Sequence, residues 1–323
     1  MDISIAALTS VAQEQGIPVE SLIQAIEAAM LAAYQSTPGH KPHARAQLDR
    51  SSGVASILVT ELDDDGVALG EFDDTPAGFG RIAATAARGA ISARLKALSE
   101  DATFGEYSGR EGDLVAGVVQ QGSDRRLVFV DIGKVEAVLP PEEQVPNERY
   151  AHGMRLRLHV VGVRRAPRGA VVTVSRTHPA LVKQLFALEV PEIADGVVEI
   201  GAIAREAGHR TKIAVRSTRP DVNAKGACIG PMGGRVRAVM DELGGEKIDI
   251  VDFSDNPAEF IAAALSPARV LKVVIVDETT RSAQVIVPDY QLSLAIGKDG
   301  QNARLAARLT GWRIDIRSDA AVE

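Results

Sequence analysis

The stretches "CIGPMGGRVRAVM" (residues 228–240) and "AIGKDGQNARLAA" (295–307) repeat one device: an apolar residue, Gly-x-x-Gly, then a helix-like run. Gly230 and Gly233 match Gly297 and Gly300, and Arg237 matches Arg304, all at a separation of 67 residues. "KIDI" (247–250) matches "RIDI" (313–316) at a separation of 66, one residue having gone from the turn between. A repeat of this kind governs architecture before local propensity does, because each copy is one folding unit. Reading outward, each unit runs helix–strand–strand–helix–loop–helix–strand. The first begins with the amphipathic helix 178–193 and has strands "VVEIGAIARE" and "RTKIAVRS" joined at Ala207-Gly208-His209. The second begins with "NPAEFIAAALS", Asn256 serving as N-cap and Pro257 as the first helical residue.

The 323 residues exceed one ordinary core, so the repeat must share the chain with other domains. Residues 2–35 predict two helices, the second with Leu22, Ile26, Ala29, Met30 and Ala33 on one stripe. Alternation from Ala44 onward predicts a small antiparallel sheet with a turn at "DDDG" (63–66). A long Ala-rich helix follows, with Thr75 as its expected N-cap and Pro76 at its first position. This α+β segment should end near residue 105. From 111 to 176, five short β-rich segments separated by Gly, Pro and charged turns predict a closed barrel, since closure removes exposed strand edges. The cues "GDLVAGVV", "VDIG" and "VSR" resemble an OB barrel of the ribosomal protein S1 type.

Charge is distributed unevenly. The net charge of −7 is confined to residues 1–105, where 7 basic side chains face 14 acidic ones; the remaining segments balance, 12 against 12 in 106–196 and 17 against 17 in 197–323. Such asymmetry fits either different partners for different segments or an acidic surface kept for solubility. An acidic first third repels phosphate and suits a basic protein surface. The start "MDISIAALTS" lacks the basic region of a signal peptide, and no apolar run approaches membrane-spanning length, so a cytoplasmic chain is expected. The single cysteine, Cys228, suits a reducing compartment and reads as a small buried apolar residue.

The loops carry the functional expectation. Glycines let a second backbone approach closely and turn N–H groups toward an anion, and the following helix adds its N-terminal partial charge. A Gly-x-x-Gly loop between helices, clamping about four nucleotides of single-stranded backbone, is the KH design. Neither loop follows a strand with full Gly-x-Gly-x-x-Gly spacing, so a dinucleotide site is excluded. The expected RNA-binding residues are Lys225, Gly226, Ile229, Gly230, Pro231, Met232, Gly233, Arg235 and Arg237 in the first unit. In the second they are Ile296, Gly297, Lys298, Asp299, Gly300, Gln301, Asn302 and Arg304. The first loop, "GPMG", has no charge between its glycines and should rely on flanking cations; the second, "GKDG", places Lys298 where a phosphate would lie.

An α+β domain, an S1-like barrel and two tandem KH domains, in that order, resemble the NusA family of bacterial transcription elongation factors. "REAGHRTKIAV" (205–215), "NAKGACIGPMG" (223–233), "GEKIDIV" (245–251) and "LAIGKDGQNARLAARLTGW" (294–312) carry the resemblance. The elements set boundaries of 1–105, 106–177, 178–254 and 255–323, and the resemblance implies bacterial-type KH domains packed into one RNA surface. It also implies that the first domain binds RNA polymerase core, that the ligand is single-stranded nascent RNA, and that pausing, intrinsic termination and antitermination are modulated. Other elongation and antitermination factors would be further partners of a monomeric protein. A translation or ribosome-assembly factor remains an alternative, as does an accessory part of an RNA-processing enzyme, although 105 leading residues are too few for a phosphorolytic core.

No catalytic constellation competes with this reading. His40 and His43 in "HKPH" lack further ligands at metal spacing, "DDDG" lacks the distal Glu of a calcium loop, and His209 has no paired nucleophile. No cofactor, metal or enzymatic activity is expected. The Arg-rich segment "VGVRRAPRG" (162–169) reads as a barrel loop, either phosphate-contacting or solvated.

Overall fold

Apolar periodicity and turn chemistry place the elements in a computed structural model, which describes residues 3–321 except 15, 64, 123, 125, 167 and 168. The chain divides into two units, residues 1–105 and essentially the rest.

In the first unit, α1 (Ile5–Glu14) and α2 (Val19–Gln35) pack on an antiparallel sheet of β1 (Ala44–Leu48), β2 (Ala55–Leu62) and β3 (Ala68–Asp73). The α2 stripe is set by Leu22, Ile23, Ile26, Met30 and Tyr34, with Ala29 and Ala33 only half-buried, because the larger side chains claim the interior. Helix α3 (Phe79–Tyr107) starts later than expected. Thr75 is not its N-cap: its hydroxyl accepts from Ile57 N at 2.8 Å and donates to Asp73, fastening the chain to β2. Gly78, at φ +80°, then turns the backbone into the helix. Of the "DDDG" turn, Asp63 Oδ1 accepts from Asp65 N and Val67 N, and Asp64 lies outside the described residues.

The second unit opens with β4 (Leu114–Gln120), β5 (Val128–Asp131), β6 (Glu136–Leu139), β7 (Arg155–Ala166) and β8 (Gly169–Ser175), closed into a barrel in the order β4-β5-β6-β8-β7. Alternate residues fill its interior, among them Val115, Val119, Val130, Leu156, Leu158 and Val172. Gly117 is required there, since a Cβ would lie 2.5 Å from Val130 Cγ1.

The two repeats follow. The first is α4 (Pro179–Glu189), α5 (Pro191–Ala194), β9 (Val198–Glu206), β10 (Arg210–Ser217), α6 (Ala224–Ile229), α7 (Gly234–Glu242) and β11 (Lys247–Asp252). The expected single helix over 178–193 is two, because Pro191 cannot continue the hydrogen-bond ladder of α4. The second is α8 (Pro257–Ala264), β12 (Lys272–Asp277), β13 (Ser282–Val287), α9 (Leu292–Ile296), α10 (Gln301–Thr310) and β14 (Arg313–Ser318). Asn256 caps α8, accepting from Ala258 N at 3.0 Å. Each sheet places its second strand centrally, antiparallel to the first strand and parallel to the third.

The repeats share a core. One face of the first sheet, with Val198, Ile213 and Val215, packs on its own helices. The opposite face, with Ala204, Ala214 and Val251, joins Ile261 and Leu265 of the α8 region and Leu305, Ala306 and Leu309 of α10. Strand β10 is accordingly buried on both sides from Thr211 to Val215. Lys212 lies within this layer, its Nζ donating to Asp249 Oδ2 at 2.9 Å and Ser266 O at 2.7 Å. Burial pushes its pKa down despite the Asp249 charge.

The barrel is fastened to the first repeat around Arg176, only 1% exposed. Its guanidinium donates to Glu148, to Arg157 O at 2.8 Å, and to the carbonyl and carboxylate of Glu242 at 2.8 and 3.2 Å. A cleft of about 370 Å³ lies beside this junction, lined by Asn147, Arg149, Met154, Gly208 and Asp241 among others. Among the described residues no helix is long and apolar enough to cross a membrane.

Candidate nucleic-acid interface

Each Gly-x-x-Gly segment joins two short helices, α6 to α7 and α9 to α10, by a single 3-10 turn. The two backbones follow one path. Gly230 and Gly297 have φ/ψ of 73°/174° and 78°/170°. Met232 and Asp299 have 53°/22° and 52°/27°, and Gly233 and Gly300 have 74°/17° and 72°/13°. The first glycine thus occupies a region essentially closed to other residues. Left-handed Met232 and Asp299 are non-glycine residues held at positive φ, a cost tolerated where the surroundings over-determine the conformation.

The two glycines of each loop differ in surroundings. A Cβ on Gly230 would lie 2.6 Å from Arg235 Cγ, and one on Gly297 would lie 2.8 Å from Asn302 Cβ. A Cβ on Gly300 would meet nothing within 4 Å, and one on Gly233 only the end of Arg237 at 3.9 Å. The first glycine is therefore packed from inside; the second faces outward, where another backbone can approach. The expectation that both glycines turn N–H groups toward an anion needs correction. The Gly233 and Gly300 N–H groups close their own turns, donating to Gly230 O at 3.1 Å and Gly297 O at 3.2 Å.

The expected contact residues separate into three groups. Exposed at the loops are Pro231, Met232 (95%), Ile229 (40%), Ile296 (38%), Lys298 and Asp299. Among the described residues the Lys298 side chain makes no hydrogen bond or ion pair, so its ammonium is available. Met232 and the two isoleucines offer apolar surface beside each loop.

Residues already engaged form the second group. Lys225 Nζ pairs with Asp252 Oδ2 at 2.9 Å, at the surface. Gly226 N donates to Asn223 Oδ1 at 2.9 Å, capping α6. Arg237 Nη2 reaches Met232 O at 3.4 Å, and its repeat mate Arg304 reaches Asp299 O with Nη1 at 3.2 Å. Arg304 also pairs with Glu206 Oε1 at 2.6 Å, and Gln301 Nε2 donates to Glu206 Oε2 at 2.9 Å. Hydrogen bonds from Arg304 first, and Gln301 after, lower the Glu206 pKa to about 2.

Two residues are corrected to structural roles. Asn302, 1% exposed, donates from Nδ2 to Leu265 O at 3.1 Å and Ala295 O at 3.0 Å, tying the loop to its flanking helix. Arg235, at the same place in the first repeat, donates to Ala227 O at 2.7 Å and Glu192 Oε2 at 2.8 Å. Both side chains fill the space beneath the first glycine, which is why neither reaches outward. Cys228 is buried in the core of the first repeat, and burial pushes its thiol up to about 11.

Glu206, Glu192 and Arg176 were not selected from sequence. Acids carry no nucleic-acid signal by type, and Arg176 reads as the close of a barrel strand until its partners are seen. His209 lies exposed in the turn after β9. Arg164 and Arg165 are exposed near the end of β7, and Pro167 and Arg168 of that segment lie outside the described residues.

Residues 176–253 match a model of the NusA-like first KH domain, 257–323 the NusA-like second KH domain, and 5–62 the NusA N-terminal domain. The transcription termination/antitermination protein NusA of Mycobacterium tuberculosis (strain ATCC 25618 / H37Rv) is 58% identical, over 99% of this chain and 94% of that protein. Its counterpart in Bacillus subtilis (strain 168) is 45% identical over 97% and 90%, and that of Thermus thermophilus 38% over 96% and 88%.

Proposed function

We propose that this chain, which belongs to the NusA family of transcription termination/antitermination proteins, acts without catalysis by holding nascent single-stranded RNA beside RNA polymerase. Its effect is on pausing, intrinsic termination and antitermination. The observation that carries the reading is the pair of loops: one backbone path, built twice, on two domains that share a core. Strained and preformed, each loop presents an outward glycine to the RNA backbone. Lys298 supplies a phosphate contact in the second, while Met232 and Ile229 supply apolar contacts to bases in the first. The barrel order β4-β5-β6-β8-β7 supports an S1-like OB assignment. Domains then run 1–105, 106–177, 178–254 and 255–323, in a monomer working in the cytoplasm. The acidic first domain meets polymerase core, where charge favours a basic protein patch over phosphate.

In vitro transcription on a template with a pause and an intrinsic terminator tests this directly. Added protein should change pause lifetime and read-through, and residues 106–323 alone should bind single-stranded RNA but not polymerase. Unchanged pausing and read-through, with co-purification of ribosomal proteins instead, would favour the translation-factor alternative.

A further inference from the structure

Glu206 is an acid where a phosphate-binding surface should exclude one. It ends β9, is 17% exposed at its side chain, and stands at the foot of the second loop. Arg304 Nε and Nη2 donate to its two oxygens at 2.6 and 3.2 Å, Gln301 donates at 2.9 Å, and Arg308 lies 3.7 Å away. The third arm of the same guanidinium, Nη1, holds Asp299 O at 3.2 Å, the carbonyl of the loop residue kept at positive φ. A continuous link therefore runs from a strand of the first repeat into the loop of the second. Among the described residues the first loop has no such link: Arg237 makes a similar reach to Met232 O at 3.4 Å but pairs with no acid. The hairpin bearing Glu206 is itself fixed. His209 N donates to Glu206 O at 2.9 Å, Gly208 N to the buried Glu246 at 2.8 Å, and Asn147 of the barrel to Gly208 O at 2.7 Å.

We propose that Glu206 is a positioning residue for single-stranded RNA: by gripping Arg304, it fixes the second loop relative to the first domain so that one strand engages both. The proposal rests on the reading that the loops bind RNA. Arg304 is then a brace whose fork is fully used, not a phosphate ligand. Only a guanidinium can hold a carboxylate with two nitrogens and a carbonyl with the third. Linking two weak sites raises affinity only while their geometry allows both to be filled together, so the effect belongs to long RNA.

The test uses the full chain with single-stranded RNAs of about 10 and about 4 nucleotides, long enough for two loops or for one. Glu206→Gln removes a negative charge, and charge alone should tighten RNA binding. Arg304→Lys keeps the charge and loses the fork. We expect both variants to bind the long RNA about tenfold more weakly and the short RNA within about twofold of the parent. Thermal melts establish that each is folded; should Glu206→Gln fail to fold, Arg304→Lys and Gln301→Ala carry the comparison. Long-RNA binding equal to or tighter than the parent's overturns the proposal. So does equal weakening on both lengths, which would make Arg304 an ordinary contact. If the parent binds neither RNA, the RNA reading of the loops fails and this proposal with it.

Discussion

Lys298 and the glycines around it show how much a single position can decide. Lys298→Asp keeps both glycines and the helix start, and the exposed side chain has no partner to lose, so stability should change by about 0.5 kcal/mol or less. Affinity for single-stranded RNA should fall at least about tenfold, equivalent to about 1.4 kcal/mol. The slope of log K against log salt should flatten by roughly 0.7, as one phosphate contact is lost. Filter binding at several salt concentrations reads both. The glycines should respond oppositely to each other. Gly297→Ala forces a Cβ to 2.8 Å from Asn302 at a φ/ψ that only glycine adopts, and should cost about 1–3 kcal/mol in urea denaturation. Gly300→Asn meets open space in a left-handed conformation that Asn tolerates, costing about 1 kcal/mol or less while obstructing RNA. The spacing of the four glycines was legible in the sequence. Which glycine faces inward was not, because it depends on Arg235 and Asn302 folding back beneath the loop, and a polar residue after such a loop reads naturally as a ligand contact.

At the scale of elements, periodicity and capping located most helices and strands, and failures arose where a side chain had a better partner elsewhere. Asn256 and Pro257 open α8 as their types suggest. Thr75 and Pro76 carry the same signal, but the Thr75 hydroxyl is held by β2 and the helix waits for Phe79. Strand β10 alternates weakly because both its faces are buried, a condition that only the second repeat creates. The contact between β9 and α10 also has a pH signature. Arg304 and Gln301 hold the Glu206 carboxyl at about 2, below its ordinary 4.5. Its contribution is therefore fully present above pH 4.5 and is lost as pH falls through about 2. Stability of residues 178–323 followed by denaturant titration should decline over that window, and Glu206→Gln should flatten the decline.

Across the whole molecule, the duplicated unit was evident from its register, and a short link between "KIDIVDF" and "NPAEF" already argued against free tumbling. What no local pattern could reveal is that the second repeat completes its core with the sheet of the first. Residues 178–323 should accordingly unfold in one cooperative transition, coincident by fluorescence and circular dichroism. Residues 255–323 alone should expose Leu305 and Leu309, bind a hydrophobic dye, and lack a sharp transition. Two separate transitions in the longer piece would show that the shared core contributes little.

That shared core also has a history during synthesis. Strand β11 ends at Asp252 and Leu309 lies 309 − 252 = 57 residues later, so at about 5–20 residues per second the first sheet waits about 3–11 s for its cover to be completed by α10. Through that interval its open face shows Ala202, Ala204 and Ala214 beside Lys212 and Asp249, with Val251 and Phe253 the larger apolar side chains among them. Alanines offer little apolar area to a neighbouring nascent chain, and the charged pair is still solvated. A face of leucines would bind its cover more tightly, but it would also bind strangers first; this one stays unattractive until its own chain arrives.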